Sequence, residues 1–124
     1  MRALTWLTTA NSILYLAASI SHGSVGISLG GPLTLGFPAS SASETIAEGL
    51  IGVVLAVAAV ALFRGSSMLI AWGAYVFALG GSLLGLSIAR GIGGPDLGLH
   101  LLMLAGLAGG FVLLVRASGE SRST

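Results

Sequence analysis

Residues 41–64 have the sequence SASETIAEGLIGVVLAVAAVALFR, in which a polar start leads into an apolar run that ends at an arginine. About 20 mostly apolar residues are enough to cross the hydrocarbon core of a bilayer as a helix. One carboxylate, Glu48, lies a turn inside this run. A carboxylate in apolar surroundings is unfavourable unless another group pairs with it, so Glu48 predicts polar partners at the same depth.

The composition of the whole chain agrees with a membrane location. Only 7% of the 124 residues are charged and 55% are hydrophobic, whereas a soluble domain carries about 25% charged residues. The five basic residues are all arginines spread along the chain, so we expect the lipid bilayer and not nucleic acid as a partner. The chain has no cysteine, which excludes disulfides and thiolate chemistry.

Charges and Gly/Pro/Ser clusters divide the chain into four segments of membrane-spanning length, about 3–21, 44–63, 67–89 and 97–115. They predict an all-α membrane protein, a four-transmembrane-helix up-down bundle. We expect one domain over residues 1–116 and a disordered polar tail over 117–124. A cleaved signal peptide is the alternative for the first segment, because Arg2 precedes an apolar run. That run is longer than the apolar h-region of a usual signal peptide, which favours a membrane-spanning helix.

The arginines predict the orientation of the bundle. With both termini cytoplasmic, Arg90 lies outside and the other four arginines lie inside, as the positive-inside rule favours. Trp6 and Trp72 then lie near the cytoplasmic ends of their helices, where indole rings are enriched. We expect a multi-pass protein of a bacterial or archaeal cell membrane.

The outer connection, residues 22–43, has apolar residues at alternate positions on both sides of Gly30-Gly31-Pro32. Alternation around such a break predicts two short strands joined by a turn. We expect a short β-hairpin-like lid over the outer end of the bundle, and an irregular glycine-rich loop is the alternative.

Helix packing is predicted by two kinds of residue. Glycine pairs four residues apart, Gly81 with Gly85 and Gly106 with Gly110, favour close approach of helices in lipid. The hydroxyl and amide side chains of the first helix are expected to bond to their own helix or to a neighbouring one. These patterns do not specify which helices meet, or whether the contact lies within one chain or in a homo-oligomer.

Polar residues from all four helices gather at the outer end of such a bundle. Glu44 is explained by a capping box with Ser41. His100 follows Asp96 by four residues and shares its helix face. The predicted polar cluster is His22, Glu48, Arg90, Asp96 and His100. The alternative to a binding site is a salt-bridge network in which Arg90 neutralises Glu48 or Asp96.

A divalent metal ion is the cofactor that the cluster would suit. Imidazole and carboxylate groups are ligands for Zn²⁺, Mn²⁺ or Fe²⁺. The tentative ligand set is His22, Glu48, Asp96 and His100, although no HExxH or Glu-x-x-His motif is present. A haem between the two histidines is a weaker alternative, because few residues beyond Arg90 would receive its propionates.

Three functions remain open from the sequence. The favoured one is a non-catalytic binding protein, or an accessory subunit of a larger membrane complex, that acts at its outer face. The second is an oligomeric small-solute or proton-coupled transporter with Glu48 as the carrier. In size and helix count the chain resembles small multidrug transporters with one essential membrane glutamate, whose motifs it does not share. The third is a metal-dependent membrane enzyme, since no serine, cysteine or lysine nucleophile lies beside a base.

Overall fold

The structure is a computed structural model that describes residues 1–23, 27–28, 34–35, 42–88 and 95–120, without the side chains of residues 22, 23, 27, 28, 34, 35, 42–44, 88, 95 and 96. Within these ranges the helices are α1 Arg2–Gly23, α2 Ala42–Phe63, α3 Met68–Ile88 and α4 Pro95–Glu120. All four are long and apolar enough to cross a membrane. The prediction of four membrane-spanning helices is therefore confirmed by length and composition.

The described helices pack in a ring in which each contacts its neighbours in chain order and α4 closes against α1. Alanine and leucine side chains dominate the core, and Leu55, Ala58, Ala78 and Leu107 are fully buried. Many large apolar side chains point outward instead. Large apolar side chains on the exterior of a bundle are the arrangement that a bilayer favours, because lipid tails solvate them.

The closest helix pair is α1 with α2. A Cβ atom at Gly52 would lie 3.0 Å from the backbone nitrogen of Leu16, so only glycine permits this approach. The Ser12 hydroxyl donates a hydrogen bond to the Gly52 carbonyl at 2.8 Å. At the other end of the pair, the Ser19 hydroxyl donates to the Thr45 carbonyl at 2.8 Å. These contacts join the two helices as an antiparallel pair.

A tight turn joins α2 to α3. Gly65 has a positive φ of 63°, and the Ser66 amide donates to the Ala61 carbonyl at 2.9 Å. This is the Schellman arrangement that ends many helices at a glycine. Ser67 then caps α3, because its hydroxyl accepts a hydrogen bond from the Leu69 amide at 3.2 Å. The turn satisfies backbone groups at both helix ends and folds α3 back along α2.

The last helix is longer than predicted. The sequence predicts that it ends near residue 115, whereas α4 ends at Glu120 and residues 117–120 form its final turn. Those residues were expected in the disordered tail. The Trp72 indole donates to the Ser118 hydroxyl at 3.0 Å, and Ser118 donates to the Leu114 carbonyl at 2.9 Å. The Trp72 ring also meets Phe111 edge to face, with centroids 5.3 Å apart. Contacts with α3 therefore extend α4 beyond its apolar run.

The outer connection contains two described strands, β1 Ile27–Ser28 and β2 Thr34–Leu35, which pair antiparallel. Ile27 is opposite Leu35 in this ladder. The rest of the connection lies outside the described residues, as do the side chains of the predicted capping box. The lid and the cytoplasmic orientation of the termini therefore stay predictions.

Candidate functional site

Two of the predicted cluster residues, Glu48 and His100, meet inside the bundle. The Glu48 Oε1 and His100 Nε2 atoms are 3.7 Å apart. The side chain of Glu48 is 7% exposed and that of His100 is 15% exposed. Glu48 belongs to α2 and His100 to α4, which are not neighbours in the ring. The pair therefore spans the interior of the bundle.

Tyr15 and Ser82 form a second polar pair that crosses the bundle, from α1 to α3. Their hydroxyl oxygens are 2.5 Å apart. The Ser82 hydroxyl donates to the Ala78 carbonyl at 2.6 Å. Because a serine hydroxyl has one proton to donate, the Tyr15 hydroxyl donates to Ser82. Both members of this pair are thus held in place by hydrogen bonds.

The two pairs line one cavity of about 290 Å³. This volume is near the lower end of small-molecule pockets, which start at about 300 Å³. A Cβ atom at Gly85 would meet nothing within 4 Å, so this glycine leaves open space. The lining comes from all four helices: Tyr15, Ala47, Glu48, Ile51, Gly81, Ser82, Leu84, Gly85, His100 and Met103. The cavity therefore has mainly apolar walls and a few polar groups, and we call it the Glu48 pocket.

The remaining members of the predicted cluster are not placed by the structure. Arg90 lies outside the described residues, and so do the side chains of His22 and Asp96. Among the described side chains, no group of three or more His, Asp or Glu residues is arranged to hold a metal ion. Glu48 and His100 supply two of the four proposed ligands, so the metal site and the salt bridge to Arg90 stay predictions.

A further polar layer lies on the side of the Glu48 pocket toward Arg64. The Thr8 and Tyr75 hydroxyl oxygens are 2.9 Å apart, and Thr8 donates to the Leu4 carbonyl at 2.7 Å. The Tyr75 hydroxyl packs against Gly110. Thr8 precedes Tyr15, and Tyr75 precedes Ser82, by about two helical turns. The two layers therefore repeat one α1–α3 register, which sequence reasoning did not anticipate.

Asn11 lies between these two layers. It is buried, and its side-chain oxygen packs against Gly106. Within the described part of the chain, its Nδ2 atom has no hydrogen-bond partner. A buried amide donor of this kind is unfavourable in apolar surroundings. The bundle axis thus carries polar groups over several turns, from Thr8 to the Glu48 pocket.

Comparison of the chain with protein-family models, with curated proteins and with solved structures found no significant match. No family assignment follows from these comparisons. The functional argument therefore rests on the Glu48 pocket and the polar layers beside it.

Proposed function

We propose that this chain is a multi-pass membrane protein that binds a small, mainly apolar molecule with an ammonium or other hydrogen-bond donor group in the Glu48 pocket. The observation that supports this most strongly is the buried Glu48–His100 pair on the wall of a cavity. Four apolar helices of membrane-spanning length support the membrane location. Ionisable residues inside a membrane domain are commonly functional.

The chemistry of the pair suits a ligand with a hydrogen-bond donor group. Both residues line the Glu48 pocket, so a ligand in this pocket lies beside the Glu48 carboxylate. An ammonium group suits a carboxylate in apolar surroundings, because the hydrogen bond between them is charge-assisted. Such a ligand would place its donor group at Glu48 and its apolar part against Ile51, Leu84 and Met103.

The arrangement around Ser82 favours binding over catalysis. A serine nucleophile needs a base within hydrogen-bond reach to accept its proton. The Ser82 proton is instead donated to the Ala78 carbonyl, and its oxygen accepts from Tyr15. Ser82, His100 and Glu48 therefore line one pocket without forming the hydrogen-bond chain of a catalytic triad.

The binding proposal is tested with a matched pair of probes, n-hexylamine and n-hexanol, added to purified protein in detergent. We expect the amine to raise the thermal stability more than the alcohol, because ligand binding stabilises the folded state by about 2.7 kcal/mol at 100 times the Kd. Glu48→Gln should remove this difference. Glu120→Gln, at an exposed position at the end of α4, is the control. Equal responses to both probes in the unmodified protein would contradict the proposal.

Proton-coupled transport is the second candidate, and the polar layers favour it. A transporter needs polar groups along its path, and Thr8, Tyr75 and Asn11 continue from the Glu48 pocket toward Arg64. Glu48 would then carry the proton. If the protein is a transporter, proteoliposomes with the unmodified protein should take up solute when a pH gradient is applied, and Glu48→Gln should abolish this uptake. The ligand-binding proposal instead predicts no such uptake by the unmodified protein.

An accessory role in a larger membrane complex, or a homo-oligomer, is compatible with the same pocket. Co-purification from the native membrane in mild detergent tests this part of the proposal. A protein that emerges alone and monodisperse would contradict the accessory role without bearing on ligand binding.

A further inference from the structure

A second and larger cavity lies at the opposite end of the bundle from His100. It is a groove of about 1110 Å³ between the first half of α1 and the last part of α2. Its lining residues come from residues 1–13 and 56–64 and do not include any of those that line the Glu48 pocket. We call it the α1–α2 groove.

One end of the α1–α2 groove is cationic. Arg2 lines it from α1 and Arg64 lines it from the turn after α2, and both are exposed. The first turn of α1 contains no acidic residue, so the positive end of its helix dipole is not neutralised there. None of the described residues that line the groove is acidic. An occupant with a negative charge at this end would be stabilised by both arginines.

The rest of the groove offers mainly apolar contacts, because the hydroxyls of its two threonines are already hydrogen-bonded to the backbone. The Thr5 hydroxyl donates to the Met1 carbonyl at 3.2 Å, and the Thr9 hydroxyl donates to the Thr5 carbonyl at 2.9 Å. Both threonine hydroxyls are therefore hydrogen-bonded within α1, and the threonine methyl groups are the parts that remain to contact an occupant of the groove. Trp6 and Phe63 lie beside the arginines and are largely exposed. Aromatic side chains next to a cationic end are typical of the membrane–water interface.

The charges argue against a second copy of the chain as the occupant. A two-fold dimer places the same surface of both copies in contact. With both copies in the same orientation in the membrane, a dimer through the α1–α2 groove would bring Arg2 and Arg64 of one copy against those of the other. Such like-charge contact is unfavourable. An amphiphile with an anionic head and an apolar chain matches both ends of the groove.

We propose that the α1–α2 groove binds an anionic phospholipid, with its phosphate between Arg2 and Arg64 and one acyl chain along the groove toward Ile13. The phosphate accepts hydrogen bonds from both guanidinium groups. The acyl chain then fills the apolar part that faces the bilayer. This lipid site is independent of the ligand in the Glu48 pocket.

The test compares phosphatidylglycerol with phosphatidylcholine of the same acyl chains, bound to delipidated protein in detergent and counted by native mass spectrometry. We expect the unmodified protein to prefer phosphatidylglycerol. The double variant Arg2→Gln/Arg64→Gln should lose about 25-fold of this preference, because each arginine near an anionic head group contributes about a factor of five. Arg116→Gln is the control, since Arg116 is also exposed but does not line the groove.

A second pair of variants tests the acyl chain separately from the charge. Val60 and Val57 are both exposed on α2, and of the two only Val60 lines the groove. Val60→Trp should obstruct the chain and lower lipid binding, whereas Val57→Trp should leave it unchanged.

Three results would overturn the lipid site. The first is equal binding of both lipids by the unmodified protein. The second is a preference that survives the double arginine variant. The third is displacement of phosphatidylglycerol by inorganic phosphate at equal concentration, which would show a phosphate site without a groove for the acyl chain.

Discussion

The contact between Gly110 and Tyr75 makes a specific prediction about adjacent glycines. A Cβ atom at Gly110 would overlap the Tyr75 hydroxyl and would lie 2.6 Å from the ring carbon Cζ. At Gly109, the nearest atom to such a Cβ is the Leu7 Cδ2 at 3.6 Å, which is an ordinary contact. Gly110→Ala should therefore disturb the bundle, and Gly109→Ala should not.

The expected change in the free energy of unfolding for Gly110→Ala follows from the interactions that Tyr75 loses. Moving its ring breaks the hydrogen bond to Thr8, which is worth about 0.6 kcal/mol and at most about 1.7 kcal/mol between membrane helices. Overpacking of a filled core adds about 1–3 kcal/mol. Replacing a helical glycine by alanine returns up to about 1 kcal/mol. We expect a net loss of roughly 1–4 kcal/mol for Gly110→Ala and a small gain for Gly109→Ala.

The assay is the free energy of unfolding in detergent micelles, measured for both variants and for each in a Tyr75→Leu background. A shorter side chain at position 75 should remove most of the cost of Gly110→Ala, because the overlapping ring and hydroxyl are absent. The reasoning would be refuted if both glycine variants were equally stable, or if the cost at Gly110 were unchanged by Tyr75→Leu.

Two further predictions use other glycines. Gly65→Ala should destabilise the protein by about 1 kcal/mol, because alanine is strained at a positive φ. Gly73→Ala is the control, because Gly73 lies in the second turn of α3 and a Cβ atom there would meet nothing within 4 Å. It should be neutral or stabilising in the same unfolding measurement. Gly85→Val should fill the Glu48 pocket and abolish the stabilisation by n-hexylamine. Gly98→Val should preserve that stabilisation, because Gly98 is exposed and has open space around it.

The helix spans and one part of the site could be predicted from the sequence. Apolar runs of sufficient length determine where a chain can cross a bilayer, and charges mark their ends. An up-down arrangement of these spans brings the starts of α2 and α4 to one level. Glu48 and His100 were placed together on that basis, and the structure brings them within 3.7 Å.

The hydroxyl pairs were beyond sequence reasoning, because a hydroxyl has several partners of similar energy within reach. Thr9 bonds to its own helix, Ser12 bonds to α2, and Thr8 bonds to both its own helix and Tyr75. Only the packing of the helices decides among these partners. The Thr8–Tyr75 and Tyr15–Ser82 pairs therefore become visible only in the three-dimensional structure of the bundle.

The glycine spacing predicts where another group can approach a helix backbone closely, but it does not predict which group does so. Gly106 and Gly110 were expected to bring helices together, and the structure places the side chains of Asn11 and Tyr75 against them. Gly85 instead faces the open space of the Glu48 pocket. A missing side chain permits a helix, a side chain or a cavity at that point, and the sequence does not distinguish these outcomes.

The central claim is that Glu48 and His100 face each other inside the bundle, and cross-linking tests it most directly. The chain has no cysteine, so Glu48→Cys/His100→Cys introduces one defined pair. Leu102 lies on the exposed side of α4, and Glu48→Cys/Leu102→Cys is the matched control. After reaction with a short bifunctional thiol reagent, intact-mass measurement should show one bridging reagent for the 48/100 pair and two separate adducts for the control. Two separate adducts on both variants would contradict the account.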